Sequence, residues 1–79
     1  MKTILLDLVG LHCPLPALKT RKALARLSPG DRLTVSCSDP LAAIDIPHLL
    51  RQTGDRLVGM TPAADLLEFV IEKAARIDS

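Results

Sequence analysis

The chain has 79 residues, 48% of them hydrophobic and 24% charged, which is material for one small packed core. Ten Lys and Arg against nine Asp and Glu leave a formal net charge of +1, without the basic excess of a nucleic-acid binder, and a lone Phe with no Trp or Tyr argues against a base-stacking surface. Met1-Lys2-Thr3 leads into an apolar run broken at Asp7, too short for a secretory signal or a membrane span, so the setting expected is cytoplasmic.

In chain order, residues 3–9 read as a strand in which Ile4, Leu6 and Leu8 alternate, stopped by Gly10. Residues 14–27 read as a helix, with Pro14 suited to its first position. Ala17, Leu18, Leu24 and Leu27 form an uneven apolar face, and Lys19, Arg21, Lys22 and Arg26 take up much of the rest. Ser28-Pro29-Gly30-Asp31 is a stop and a turn. Residues 32–37 are a second strand with Leu33, Val35 and Cys37 on one face. A second helix covers roughly 40–53, capped by Asp39-Pro40 and closed by Gly54, its buried stripe being Ala43, Ile46, Leu49 and Leu50.

Pro47 removes one backbone hydrogen bond from that helix. A single distorted helix is expected, with a break at 40–44 and a cap by Asp45 as the alternative. Residues 56–60 and 66–73 are the last two strands, joined by 61–65, and the tail 74–79 is expected to fray. The order β-α-β-α-β-β implies one α+β domain over 1–79. It is a two-layer sandwich, two helices on one face of a four-stranded mixed sheet, with a parallel first crossover and a closing hairpin.

Chemistry concentrates in Gly10-Leu11-His12-Cys13-Pro14-Leu15-Pro16, between a strand and a helix. At a helix N-terminus the free N–H groups and the dipole favour anions, and thiolate is the nucleophilic form of cysteine. Pro14 and Pro16 lack N–H groups, so only a moderate lowering of the Cys13 pKa is expected, and the prolines serve rigidity instead. Lys19, Arg21 and Lys22 can raise the potential around the sulfur or dock an acidic partner; they can equally be a solvated helix face. On these features alone Cys13 is either a reactive thiol or a small buried hydrophobe. Two cysteines without a CxxC do not make a disulfide framework, and His12 and His48 lack zinc-ligand spacing to either, so no metal is expected.

The run Leu6–Pro16, built on Cys-Pro-x-Pro, resembles the signature of the TusA/SirA family of sulfur-carrier proteins. The resemblance continues through Lys19, Gly30-Asp31, Asp39-Pro40, Asp45-Ile46-Pro47, Gly54 and Phe69-x-Ile71-x-Lys73. It implies the same sandwich, a catalytic Cys13 framed by Pro14 and Pro16, and no cofactor beyond a covalent persulfide on that cysteine. It also implies a protein donor of the cysteine desulfurase or rhodanese type and an acceptor protein, with the free carrier monomeric. Leu15 stands where some members have an acid, and Val9 where many have Arg or Ala, which leaves the pathway open among tRNA thiolation, sulfur oxidation, molybdenum-cofactor work and other branches.

Of the other candidates, Cys37 reads as core packing, its rival role being a disulfide partner for Cys13. His12 adjoins Cys13 but should point away from it. His48 reads as an exposed helix residue, Asp39 and Asp45 as caps, and Met60 as packing. The functional alternative to a sulfur carrier is a non-catalytic interaction or regulatory module in which Cys13 is incidental or a redox switch.

Overall fold

The computed structural model describes residues 2–63 and 65–74. Its elements are β1 (Thr3–Leu8), α1 (Leu15–Leu24), β2 (Arg32–Cys37), α2 (Ala42–Thr53), β3 (Arg56–Ala63) and β4 (Leu66–Glu72). The strands lie in the order β1-β2-β4-β3, with β1 parallel to β2 and the other two pairs antiparallel. This is the expected two-layer α+β sandwich, and β3 and β4 close it as a hairpin.

Strand alternation builds the core. Leu33, Val35 and Cys37 of β2 and Phe69 and Ile71 of β4 are fully buried, and the register sets Val35 opposite Phe69 and Leu33 opposite Ile71. Such cross-strand apolar pairs are the stabilising unit of a sheet, and a fully buried side chain of this size contributes about 1.5–3 kcal/mol. The helices cover them with Leu24, Ala42, Ile46 and Leu50. The stripe of α1 differs from expectation. Pro16, Thr20 and Leu24 are buried, with Leu27 beyond the helix, whereas Leu18 is 55% exposed. Steps of four, four and three residues keep one helical face, and Leu18 lies between them on the other side.

The ends are also refined. α1 stops at Leu24, and i→i+3 bonds from the Arg26 and Leu27 N–H groups to Ala23 and Leu24 tighten the chain after it. α2 starts at Ala42, two residues late, because Asp39–Leu41 form a tighter turn with bonds from Ala42 to Asp39 and Ala43 to Pro40. It then continues through Pro47 as one helix and ends on left-handed Gly54, whose N–H donates to the Leu50 carbonyl. β3 runs on to Ala63, so the expected 61–65 connection is shorter, and its Ala64 lies outside the described residues. So does the expected frayed tail, except Ala74, whose N–H is held by Asp55 Oδ1 at 3.0 Å. Asp31 fastens the other end of the sheet, its carboxylate accepting from the Lys2 N–H at 3.1 Å and the Ser28 N–H at 2.9 Å.

One consequence of the topology positions the site. β1 and β2 are parallel neighbours with Leu8 opposite Cys37, so the loops that follow them leave the sheet side by side.

Candidate functional site

The loop after β1 turns on Gly10, at φ 91°, a conformation that suits glycine. The Gly10 N–H donates to Ser38 Oγ at 2.8 Å, and the Cys13 N–H donates to Asp39 Oδ2 at 2.7 Å. Asp39 Oδ1 takes the Leu41 N–H at 3.0 Å. One carboxylate therefore caps the turn that opens α2 and pins the backbone of Cys13. Those two N–H bonds, with a smaller contribution from His12, hold Asp39 below the usual carboxylate range. The expected helix cap is thus displaced by one turn, since the residue at the N-cap of α2 is Leu41 without a side-chain bond, and Asp39 carries a second duty that spans 26 residues of sequence.

The Cys13 side chain is exposed. It opens onto a groove of about 220 Å³ between α1 and α2, whose walls include Ala17, Leu18, Arg21, Asp45 and His48. The Cys13–Pro14 peptide is cis. Asp45, in the first turn of α2, lines the same groove as the thiol. Its carboxylate, as an acceptor toward the thiol, is the main reason the Cys13 pKa is raised above a cysteine's ordinary value; desolvation and the charges of Asp45 and Asp39 push the same way.

The expected lowering is thus overturned, for two physical reasons. The helix N-terminus has little to give: Pro14 and Pro16 have no N–H, the Leu15 N–H is taken by the His12 carbonyl at 2.9 Å, and that of Cys13 by Asp39. Two carboxylates also face the sulfur, and an accepting or negative neighbour favours the protonated thiol.

The three basic residues are exposed and line two grooves. Arg21 lines the Cys13 groove, whereas Lys19 and Lys22 line another beside β1. His12 is exposed and its carbonyl serves Leu15. His48 is exposed on the groove wall, with Nε2 3.4 Å from Gln52 Nε2. Cys37 is fully buried, and burial is the main cause that raises its pKa. Pro16 is buried, anchoring the loop in the core, while Pro14 lines the groove. Met60 sits opposite Phe69 at the β3 edge and is 45% exposed. Asp45 is the residue that sequence reasoning read only as a cap. The signal that finds it is the parallel β1–β2 pair, which brings the turn after β2 against the loop after β1. Among the described residues, no group of three or more His, Cys, Asp or Glu could hold a metal ion, and no helix is long and apolar enough to cross a membrane.

A sequence model of the family described as "Sulfurtransferase TusA" matches residues 4–73. The chain belongs to the TusA family. As a TusA-family sulfur carrier it works in a sulfur relay, which implies a donor and an acceptor. It is 36% identical over 69 residues to the sulfur carrier protein TusA of Allochromatium vinosum, covering 87% of this chain and 91% of that one. A relative in Neisseria meningitidis serogroup A is 39% identical over 72 residues, covering 91% of this chain and 97% of its own. The crystal structure of a SirA-like protein from Desulfitobacterium hafniense shares the fold with a TM-score of 0.79 at 23% identity, covering 91% of this chain and 99% of that one. A TusA-family member is a sulfurtransferase, so the reading as a non-catalytic module gives way.

Proposed function

We propose that Cys13 Sγ is the atom on which this TusA-family carrier holds sulfur, with Asp45 keeping the resting thiol protonated. The observation that carries this reading is the exposed Cys13 thiol, which shares an open groove between α1 and α2 with Asp45. The groove is smaller than the roughly 300–1,000 Å³ of small-molecule sites, which suits a cysteine presented by another protein.

In loading, Cys13 gives its proton to water and the thiolate attacks the outer sulfur of a donor Cys–S–SH. The donor's S–S bond breaks, its cysteine leaves as thiolate, and Cys13 holds S–SH. In unloading, an acceptor thiolate attacks that outer sulfur, and Cys13 leaves as thiolate and is reprotonated from water. No net oxidation occurs, because the sulfane sulfur moves at constant charge. Two nearby carboxylates disfavour an anionic persulfide on Cys13, so the charged carrier is biased to hand its cargo on. The donor is a protein persulfide of the cysteine desulfurase or rhodanese type, and the free carrier is a monomer. Mass spectrometry of peptides after incubation with a persulfide donor tests the reading: sulfur is expected on Cys13, and sulfur on Cys37 alone, or on neither, contradicts it.

A further inference from the structure

The two edges of the sheet differ in how well they are protected. Bare strand edges are templates for pairing, and folds blunt them with prolines and bulges. β3 carries both, Pro62 and an irregularity between Leu57 and Gly59. β1 carries neither: its sequence Thr-Ile-Leu-Leu-Asp-Leu pairs with β2 over six consecutive residues without a shift. The Arg32 N–H bonds the Lys2 carbonyl at 2.7 Å. Alternation in a parallel pair then turns the even-numbered residues toward β2, and Thr3, Leu5 and Asp7 present their N–H and C=O groups outward.

Beside this edge lies a groove of about 340 Å³. Its floor is Ile4, Leu6 and Ala23, and its wall is Lys19 and Lys22 of α1 with Arg26 just beyond the helix, with no acidic side chain in the lining. Asp7, the acid of β1, has its carboxylate on the Val9 N–H at 3.0 Å and, as an odd-numbered residue, projects from the opposite sheet face to Ile4 and Leu6.

We propose that the β1 edge receives an extended acidic segment of a partner protein as a fifth strand. Its main chain pairs with Thr3, Leu5 and Asp7, and its alternate side chains set carboxylates under Lys19, Lys22 and Arg26. A second copy of this chain is a poor occupant, because two-fold pairing of β1 with β1 brings two such cation triplets together. Arg21, on another side of α1, belongs to the Cys13 groove. A partner bound at the edge can therefore grip the carrier and leave its thiol open. The binding itself does not depend on Cys13 being the sulfur site.

A seven-residue peptide alternating glutamate with valine is the probe, titrated into the full chain and followed by amide exchange. Exchange at Thr3, Leu5 and Asp7 is expected to slow roughly tenfold or more at saturation. Added salt and the exposed double variant Lys19→Glu/Lys22→Glu should each weaken binding by roughly tenfold or more. A peptide N-methylated on its pairing amides should not bind, and Cys13 alkylation should keep its rate. Unchanged exchange at the three amides overturns the proposal. So does protection centred on Ala17 and Gln52, equal binding of the lysine–valine counterpart, or a β1-paired dimer of the free chain. Persulfide loading of Cys13 is read separately, so a failure of one reading leaves the other standing or falling by itself.

Discussion

Cys13 and Cys37 belong to the same end of the same parallel strand pair, yet one is exposed and the other sealed. Cys37 is the last residue of β2, on the face shared with Leu33 and Val35, and the sheet pleat buries it. Cys13 follows its strand by five residues, on a loop that Gly10 turns and Ser38 and Asp39 tie down. Nearness in space therefore does not give the two thiols a common chemistry; the path of the backbone between strand end and sulfur does. Both pKa values are raised, but for different leading reasons: an accepting carboxylate at Cys13, loss of solvent at Cys37.

The contrast can be broken in order of effect. Cys13→Ser should drop persulfide loading to background with thermal stability nearly unchanged, checked by peptide mass spectrometry and a melting curve. Cys37→Ser should do the reverse. Loading persists, while a buried hydroxyl without an assured partner costs about 1–3 kcal/mol, several degrees of Tm in a chain of this size. Asp45→Asn removes the charged acceptor beside Cys13. Alkylation of Cys13 by iodoacetamide should then be faster at neutral pH and its pH midpoint should move down, while Cys37 stays unreactive in the native state. An unmoved midpoint would leave Asp45 without influence on the thiol.

The smallest effects are in the pH dependence of stability. Asp31 and Asp39 are held below the usual carboxylate range by backbone N–H groups. Their contribution is complete above the unfolded value of about 3.9 and is lost as pH falls through the lower folded values. Both thiols are raised, so the folded chain keeps protons that the unfolded chain releases, and stability should decline as pH rises past about 8.5. Chemical denaturation at a series of pH values reads both limbs, and Cys13→Ser and Cys37→Ser should each flatten the alkaline one.

What the sequence made legible was local. Alternation at Leu33-x-Val35-x-Cys37 and Phe69-x-Ile71 gave the strands and their buried face, and Gly54 gave the end of α2. The loop with Cys13 stood out through its two prolines. Less legible were features decided by tertiary packing. Leu18 looks like core because it is apolar, but the rotation of α1 spends that position on the groove wall and buries Thr20. Asp39 and Asp45 looked like caps because capping is what an aspartate at such a position does by default. Their contacts with Cys13 come from residues far along the chain, through the parallel register of β1 and β2. The sign of the Cys13 pKa shift is hidden for the same reason: the helix N-terminus is visible in sequence, and the carboxylates facing it are not.

The most direct measurement is site-resolved mass spectrometry of the native chain after exposure to a protein persulfide donor, repeated after addition of an acceptor thiol. Sulfur carriage on Cys13 requires one added sulfur on the peptide containing Cys13, none on that containing Cys37, and loss of the label once the acceptor is present. An unlabelled Cys13 alongside a donor shown to be active, or a label that the acceptor cannot remove, would contradict it.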